Sequence, residues 1–256
     1  MIILIWIPMA RRKSLAFLDV GQGDCFVADT KSGAIIFDGG SSSEDQVGRY
    51  RILPYMKYLG YQKIQIAVIS HMDIDHYSGI KELLEMGKIK YLGLPEIPKD
   101  ETMKKIIGIA KKRGTTIFYL SRGRQITTKD GSLKVLHPQK NSQMEKNAAS
   151  LVMQGKILGY RVLLTGDVEK EGEEELLSEE LERADILKAA HHGSKNSTSN
   201  EFLQKVQPKQ TVISCGKQNR YGHPHLETIH RLQTYHTKIY RTDRSGAIIF
   251  FKRRDG

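Results

Sequence analysis

The sequence predicts a one-domain α/β protein in which two β-sheets pack face to face and helices cover their outer surfaces. Its first part contains apolar, β-branched runs separated by short turn sequences, which is typical of neighbouring strands. Farther along, strand-like runs alternate with amphipathic segments of helical length. Strands that first pair in runs and then alternate with helices indicate two packed sheets. No stretch rich in Pro, Ser and Gly divides the 256 residues, which favours one domain.

The elements can be predicted in chain order. Three strands, LAFLDV, CFVAD and AIIFD, begin at Leu15 and are separated by the turn sequences GQGD and TKSG. An amphipathic helix over Val47–Gly60 precedes the strand Ile66–Ile69, and a helix from about Tyr77 to Met86 follows it. The remaining predicted elements are the strand KIKYLGL, a helix over Glu101–Arg113, the strand TTIFYL, a hairpin near Arg124–Thr128, the strand SLKVLHP, strands Ser150–Lys156 and Tyr160–Thr165, a helix over Val168–Leu181, the strand Asp185–Ala190, a helix near Thr198–Val206, the strand Thr211–Cys215, and a helix over Leu226–Tyr235 before two final strands.

Composition excludes some classes of protein. Charged residues at 27% and hydrophobic residues at 39% are inconsistent with a disordered chain. Lys and Arg outnumber Asp and Glu by 40 to 29, and the net charge of +11 favours polyanionic partners such as nucleic acid or an anionic membrane. Aromatic residues total 7% and form no motif typical of dedicated single-strand binders. Cys25 and Cys215 lie in apolar runs without CxxC spacing, which predicts small buried side chains rather than a disulfide.

Residues 1–14 are predicted to form a segment separate from the domain at residues 15–256. The apolar run MIILIWIPM is shorter than the roughly 20 residues that span a bilayer. Its positive charges follow the apolar stretch, which is the reverse of their order in a signal peptide. Two interpretations stay open: a strand, or the remnant of a membrane linker from a longer protein.

A cluster of potential metal ligands follows the apolar run Ile66–Ile69. The cluster comprises His71, Asp73, Asp75 and His76. Burying unpaired imidazoles and carboxylates at the end of a strand would cost several kcal/mol, and a divalent metal removes that cost. Asp167 follows LLTG, and His191 and His192 follow ILKAA, each at the end of another predicted strand. Side chains that leave the ends of different strands can converge on one edge of a sheet.

These motifs resemble the metallo-β-lactamase superfamily, and more narrowly the C-terminal hydrolase domain of the ComEC family of bacterial DNA-uptake channels. The motifs that carry the resemblance are LDVGQGD (Leu18–Asp24), FDGG (Phe37–Gly40), SHMDIDH, KNAASLV (Lys146–Val152), LLTGD, AAHHGSKNS (Ala189–Ser197) and NRYGHPH (Asn219–His225). The resemblance spans roughly Leu15 to Phe251. It implies a four-layer αββα sandwich, the metallo-β-lactamase fold, with two divalent metal ions, Zn²⁺ or Mn²⁺, at the sheet edge.

The resemblance also implies a ligand set. His71 and Asp73 would hold one metal, Asp75, His76 and His191 would hold the other, and Asp167 would bridge them. Asp73 stands where most superfamily members have a histidine, and a carboxylate there shifts preference from zinc alone towards manganese or magnesium. The usual third histidine ligand of the first metal is not evident; the candidates are His137, Asn147 and Ser150.

The neighbouring histidines compete for one ligand position. Alternate residues of a strand point to opposite faces, so adjacent imidazoles should not both coordinate from an extended backbone. We therefore predict His191 as the ligand and His192 as a residue that contacts substrate or transfers a proton. For His223 and His225, which flank Pro224, anchoring of a loop and a role in catalysis are both open.

The predicted chemistry is hydrolysis. A metal pair about 3.5–4 Å apart lowers the pKa of a water towards 7, and the hydroxide can attack phosphorus in line. The residues assigned to catalysis are Asp75, Asp167 and His192. Asp24 and Asp38 are predicted to orient the ligands from behind. Substrate contacts are assigned to Asn147, Ser150, Ser194 and His223.

The function predicted from these observations is a monomeric, metal-dependent DNase. The resemblance implies cleavage of the DNA strand that is not imported during competence, with single-stranded DNA as the partner. Two alternatives are a phosphodiesterase or esterase acting on a small substrate, and a non-catalytic DNA-binding or channel module. Together with a transmembrane channel domain or subunit, the domain would face the outside of the bacterial cytoplasmic membrane; a free-standing chain would be cytoplasmic.

Overall fold

Within residues 12–144 and 147–253, which the computed structural model describes, fourteen strands form two seven-stranded sheets. The first sheet contains β1 (Ser14–Phe17), β2 (Phe26–Thr30), β3 (Gly33–Phe37), β4 (Ile64–Val68), β5 (Ile89–Pro95), β6 (Thr116–Leu120) and β14 (Ile248–Phe251). Its spatial order is β14-β1-β2-β3-β4-β5-β6. The strands from β14 to β3 are antiparallel to their neighbours, whereas β3 to β6 run parallel.

The second sheet has the same kind of mixed topology. It contains β7 (Gln125–Thr128), β8 (Gly131–His137), β9 (Val152–Ile157), β10 (Tyr160–Leu164), β11 (Ile186–Lys188), β12 (Gln210–Ile213) and β13 (Lys238–Arg241). Its spatial order is β13-β12-β11-β10-β9-β8-β7. Strands β7 to β10 are antiparallel, and β10 to β13 are parallel. Each sheet therefore has a central pair of parallel strands, β3–β4 and β10–β11, whose carboxyl ends share an edge.

Helices cover the outer face of each sheet. Those against the first sheet are α1 (Leu53–Tyr58), α2 (Ile74–Glu85) and α3 (Glu101–Lys112). Those against the second are α4 (Lys170–Leu177), α5 (Asn200–Val206) and α6 (Leu226–Thr234), and a single turn, α7 (Thr242–Ser245), precedes β14. Among the described residues, every helix is too short or too polar to cross a bilayer.

Strand alternation divides the core into three apolar layers. In β1, Leu15 and Phe17 point between the sheets, where they belong to one cluster with Met153 and Leu164 of the second sheet. Ala16 points to the other side, into the cluster formed with the first set of helices. A third cluster joins the second sheet to α5 and α6. The predicted αββα sandwich is confirmed.

Several predicted boundaries shift. Helix α2 begins at Ile74, earlier than expected, so part of the ligand cluster lies in its first turn. The helix predicted over Val47–Gly60 is a π-helical turn at Gly48–Ile52 followed by α1, with Pro54 in the first turn of α1, where its missing N–H is tolerated. Strand β11 ends at Lys188, before the paired histidines. Both cysteines are free and buried, as predicted. Of the predicted N-terminal segment, residues 1–11 lie outside the described residues, and β1 begins at Ser14.

Candidate metal centre

The predicted ligands come from segments that follow the central parallel strands of both sheets. Asp38 follows β3, and His71 follows β4. On the other sheet, Asp167 follows β10, and His192 follows β11. Because the two sheets pack face to face, the ends of these four strands bring their polar side chains together at one edge.

Close backbone contacts fix the start of α2 at this edge. The Asp24 N–H donates to the Asp75 carbonyl (3.0 Å), and the Gly39 N–H donates to the His76 carbonyl (2.8 Å). A Cβ atom on Gly40 would collide with backbone atoms in the first turn of α2. The glycines of the FDGG motif therefore let this loop lie directly against the helix that carries Asp75 and His76.

Three imidazoles converge on the Asp167 carboxylate. His76 Nε2 lies 3.1 Å from Asp167 Oδ1, and His192 Nε2 lies 3.4 Å from Asp167 Oδ2. The His71 ring packs 4.1 Å from the His76 ring, measured between centroids. His192 Nε2 is also 3.4 Å from Asp75 Oδ2. Among the described residues, four groups with metal-ligand spacing result, each with its ligand atoms within 4.8 Å of one another: His71, His76 and Asp167; Asp75, His76 and His192; Asp24, Asp38 and His76; and Asp24, Asp167 and His192.

The hydrogen bonding of this cluster fits divalent metal ions. The Nε2 atoms of His71, His76 and His192 and the Oδ1 atom of Asp167 are buried, and none has a hydrogen-bond partner among the described residues. Buried polar atoms are almost always satisfied, so four such atoms around one point indicate a missing ligand. Imidazole and carboxylate are the donors that zinc and manganese accept. The donor set therefore fits the metals that the sequence predicts.

Neighbouring groups hold the imidazoles with Nε2 turned towards Asp167. The His76 Nδ1–H donates to Asp38 Oδ2 (2.9 Å), whose other oxygen accepts the Ser70 N–H (2.7 Å). The His192 Nδ1–H donates to the Ser214 carbonyl (2.9 Å). Placing the proton on Nδ1 leaves the Nε2 lone pair available for a metal. Asp38 thus lies on the Nδ1 side of His76, opposite the Nε2 atom that faces Asp167.

The metal-free imidazoles differ in charge. Burial, together with the neighbouring His76, lowers the pKa of His71 to about 3, so His71 is neutral. Burial also opposes the charging of His76 and His192, but the Asp167 carboxylate outweighs it and raises the pKa of both well above the ordinary value. Without metal, His76 and His192 therefore favour their protonated forms, which place positive charge at the position that metal ions would occupy.

Lys188 is a functional residue that sequence reasoning misses. Its ammonium is buried, forms a short ion pair with Asp24 and lies 3.9 Å from Asp167 Oδ1. Burial lowers the pKa of Lys188, but Asp24 and Asp167 raise it overall, so the side chain stays charged. Asp24 Oδ1 also lies 3.4 Å from His192 Nδ1. The sequence did contain an indication of this ion pair, because Lys188 lies inside the apolar run ILKAA. Lysine is almost never fully buried without a partner.

The structure favours the opposite assignment of the neighbouring histidines. The chain leaves β11 and turns through Ala190–Gly193 with left-handed backbone at His191 (φ 47°) and His192 (φ 52°), so strand alternation does not apply. His192 is buried among the ligands, whereas His191 is about a quarter exposed and places Nδ1 2.8 Å from Glu169 Oε1. His191 Nε2 lies 3.8 Å from Asp167 Oδ2. This geometry favours His192 as the ligand and His191 as its neighbour at the rim.

Comparison with known proteins agrees with the fold. Residues 18–217 match the family described as the metallo-beta-lactamase superfamily. The chain belongs to the metallo-β-lactamase superfamily. "ComE operon protein 3" of Bacillus subtilis (strain 168) is 35% identical over 275 residues, covering 100% of the chain and 35% of that protein. "Competence protein ComA" of Neisseria gonorrhoeae is 30% identical over 248 residues, covering 93% of the chain and 32% of that protein.

The chain thus spans about a third of the length of these relatives, and the resemblance to the ComEC family is confirmed over most of it. Among solved structures, the metallo-β-lactamase fold protein YhfI of Bacillus subtilis superposes with a TM-score of 0.61 at 13% identity, covering 92% of this chain and 99% of that one. At this identity the likeness concerns the fold alone. The superfamily fold is that of metal-dependent hydrolases and implies divalent metal ions at this edge.

The other predicted site residues differ in how close they lie to the ligand cluster. Asp73 Oδ2 is 3.7 Å from His71 Nε2, and the Asp73 side chain is more exposed than the other carboxylates of the cluster. The His223 ring lies 5.4 Å from the His191 ring and 6.1 Å from the His192 ring, at the rim. His137 has another role, because its Nε2–H donates to the Ala148 carbonyl (2.7 Å).

The predicted serine and asparagine contacts are only partly available to a substrate. The Ser150 hydroxyl is buried and accepts the Asp167 N–H (3.3 Å), so it positions a ligand. The Ser194 hydroxyl is buried and accepts the Asn196 N–H (3.3 Å) within its own turn. Both geometries count against direct contact with substrate. Asn147 is partly buried, and its backbone carbonyl accepts a hydrogen bond from the Ser150 N–H (3.0 Å).

Proposed function

We propose that the chain hydrolyses phosphodiester bonds of single-stranded DNA with little sequence preference. The observation that carries the proposal is the convergence of three unpartnered imidazole Nε2 atoms on the buried Asp167 carboxylate. The net charge of +11 suits a polyanionic substrate. The relatives in Bacillus and Neisseria carry names that refer to competence, which supports DNA as the substrate class.

His71, His76 and Asp167 would hold one divalent ion, and Asp75, His192 and Asp167 the other. This set moves His76 from the second ion, to which the resemblance assigns it, to the first. When bound, such ions lower the pKa of water and neutralise charge on phosphoryl oxygens. The protein keeps the imidazoles in the correct tautomer through Asp38 and the Ser214 carbonyl.

The rim supplies a candidate proton donor. Glu169 Oε1 lies 2.8 Å from His191 Nδ1, and His191 Nε2 lies 3.8 Å from Asp167 Oδ2. An imidazole at the rim of the site can donate a proton to the leaving oxygen of the substrate. His223 is less suited to that role, because burial and the adjacent histidines lower its pKa to about 4 and keep it neutral. We therefore assign proton transfer to His191 rather than to His192.

The test is cleavage of labelled single-stranded oligonucleotides by purified protein with Mn²⁺ or Zn²⁺. We expect cleavage by the wild type and none by Asp167→Asn. The matched control is Asp29→Asn, because Asp29 is equally buried and pairs with Lys13 and Tyr61 instead of the cluster. Cleavage by Asp167→Asn at the wild-type rate would overturn the proposal.

Salt dependence separates DNA from a small ester. Displacing counterions from a polymer makes its binding fall steeply with salt, whereas binding of a single chromogenic diester changes little. We expect the KM for the oligonucleotide to rise strongly between 50 and 200 mM salt, on the order of tenfold or more. Equal salt dependence for both substrates would favour the small-substrate alternative.

We also propose that the domain works beside a membrane channel on the extracytoplasmic face, as part of DNA uptake. The support is that its relatives are about three times longer and that their names refer to competence. Labelling of cysteines introduced at exposed positions, such as Lys90→Cys, with a membrane-impermeant reagent in intact cells tests this placement. Labelling only after cell lysis would place the domain in the cytosol instead.

A further inference from the structure

Some exposed apolar side chains lie in the segments that carry the site residues. The large hydrophobic residues that are most exposed in the described part of the chain include Ile74 (54%), Tyr221 (42%) and Leu226 (72%). Ile74 lies between two carboxylates of the ligand cluster, and Leu226 begins the helix that follows the loop of His223.

Tyr221 connects this rim to the histidines. Its ring stacks on the His223 ring, with the centroids 5.7 Å apart and the planes inclined by 20°. The His223 ring in turn contacts the rings of His191 and His192 at 5.4 and 6.1 Å. A series of flat rings therefore runs from the exposed Tyr221 to His191 and His192.

Arg220 adds positive charge to the same surface. Its guanidinium donates to the Tyr221 hydroxyl (2.7 Å) and lies 4.9 Å from the centre of the ring. The pKa of Arg220 is raised above its ordinary value, mainly by this hydrogen bond to Tyr221. The loop itself is held by Asn219, whose side chain accepts the His223 N–H (2.9 Å) and donates to the Gly216 carbonyl (2.9 Å).

We propose that Tyr221 and Arg220 form a stacking platform for a nucleobase beside the scissile phosphodiester, which makes unpaired nucleic acid the preferred substrate. Aromatic rings next to a cationic group stack any base without reading its sequence, and the cation follows the phosphates. Bases inside a duplex are stacked on each other and cannot reach the ring. The platform rests on the proposed nuclease function and assigns the recognition of the unpaired strand to Tyr221 and Arg220.

The platform can be tested by binding alone, in EDTA to prevent cleavage. The probe is a fluorescently labelled oligo(dT) added to the full chain and followed by anisotropy. We expect Tyr221→Ala to weaken binding about 5- to 150-fold, the range that one stacked base contributes. Tyr221→Phe should keep most of the affinity because the ring remains. Tyr58→Ala is the matched control, since Tyr58 is 70% exposed on α1 and stacks on Tyr55 instead of a site histidine.

Two further probes show whether the base is what binds. An oligomer of abasic sites keeps the phosphates and lacks the bases, so wild type and Tyr221→Ala should bind it equally weakly. A duplex of the same length should likewise show no difference between them. An affinity of Tyr221→Ala for oligo(dT) within twofold of the wild type would overturn the platform, as would an equal loss on the abasic oligomer.

Cleavage kinetics separate the platform from the nuclease proposal. We expect Tyr221→Ala to raise the KM for a single-stranded oligonucleotide about 5- to 150-fold with a smaller change in kcat. Cleavage by the wild type with an unchanged KM in Tyr221→Ala would refute the platform and leave the nuclease proposal intact. Absence of cleavage by the wild type would refute the nuclease proposal, and the binding comparison would still decide the platform.

Discussion

Replacing Asp38 by asparagine should weaken metal binding without unfolding the protein. Asp38 is fully buried, accepts hydrogen bonds from His76 and from the Ser70 N–H, and has left-handed backbone with φ 57°. Asparagine has the same shape and tolerates this backbone well. The change therefore removes mainly the negative charge behind His76. Loss of such a partner typically costs 10- to 100-fold in metal affinity, equivalent to about 1.4–2.7 kcal/mol.

The assay is competition for Zn²⁺ against a chromogenic chelator, with thermal unfolding of the metal-free proteins as a check on folding. The control is Asp29→Asn. Asp29 lies at the end of β2 away from the site and accepts from the Tyr61 hydroxyl (2.7 Å) and the Lys13 ammonium (2.8 Å). We expect Asp29→Asn to lower stability and leave zinc affinity unchanged. Wild-type affinity in Asp38→Asn, or an equal loss in Asp29→Asn, would refute the role assigned to Asp38.

Three further results follow from buried charges. Lys188→Met leaves the Asp24 carboxylate buried without its partner, so urea unfolding should show a loss of about 3–5 kcal/mol, largely restored by adding Asp24→Asn. Burial opposes the charge of Asp185, but the Arg161 N–H and other donors outweigh it and lower the pKa of this carboxyl. The charged form therefore stabilises the fold at pH values above the pKa of the unfolded chain, which is near 4, and this stabilisation is lost as the pH falls through the lower pKa of the folded protein. Asp185→Asn should thus lower the free energy of unfolding by about 1–3 kcal/mol at pH 7 and by less at pH 3. Because Asp167 raises the pKa of His76 and His192, metal loading should release protons, measured by calorimetry in buffers of different ionisation enthalpy.

Each of these three predictions would be contradicted by a specific outcome. A Lys188→Met protein as stable as the wild type would show that the ion pair with Asp24 is dispensable. A cost for Asp185→Asn that stays constant from pH 7 to pH 3 would contradict the lowered pKa. Metal binding without proton release would mean that the imidazoles are already neutral in the metal-free chain.

The ligand cluster was predictable because its information is local. His71, Asp73, Asp75 and His76 lie within six residues, and the apolar run before them indicates a strand end whatever the rest of the chain does. The two-sheet architecture was likewise contained in the alternation of apolar residues. These features depend on the period of a strand or helix, which a single sequence displays directly.

What was not predictable depends on backbone turns and on distant partners. The assignment of His191 over His192 assumed an extended strand, whereas the chain enters a left-handed turn ahead of Gly193 (φ 83°). A glycine after paired histidines was the available signal. The pairing of Lys188 with Asp24 joins two sheets across 164 positions of sequence, and no periodicity encodes such a contact. The stacking of Tyr221 on His223 likewise arises from a loop conformation.

The most direct test of the metal centre is anomalous diffraction from crystals grown with excess Mn²⁺. We expect two anomalous peaks at the sheet edge, one contacted by His71, His76 and Asp167 and the other by Asp75, His192 and Asp167. The same crystals should show Asp38 still bonded to His76 behind the first peak. No peak at this edge, or a second peak contacted by His191 while His192 points away, would contradict the site described above.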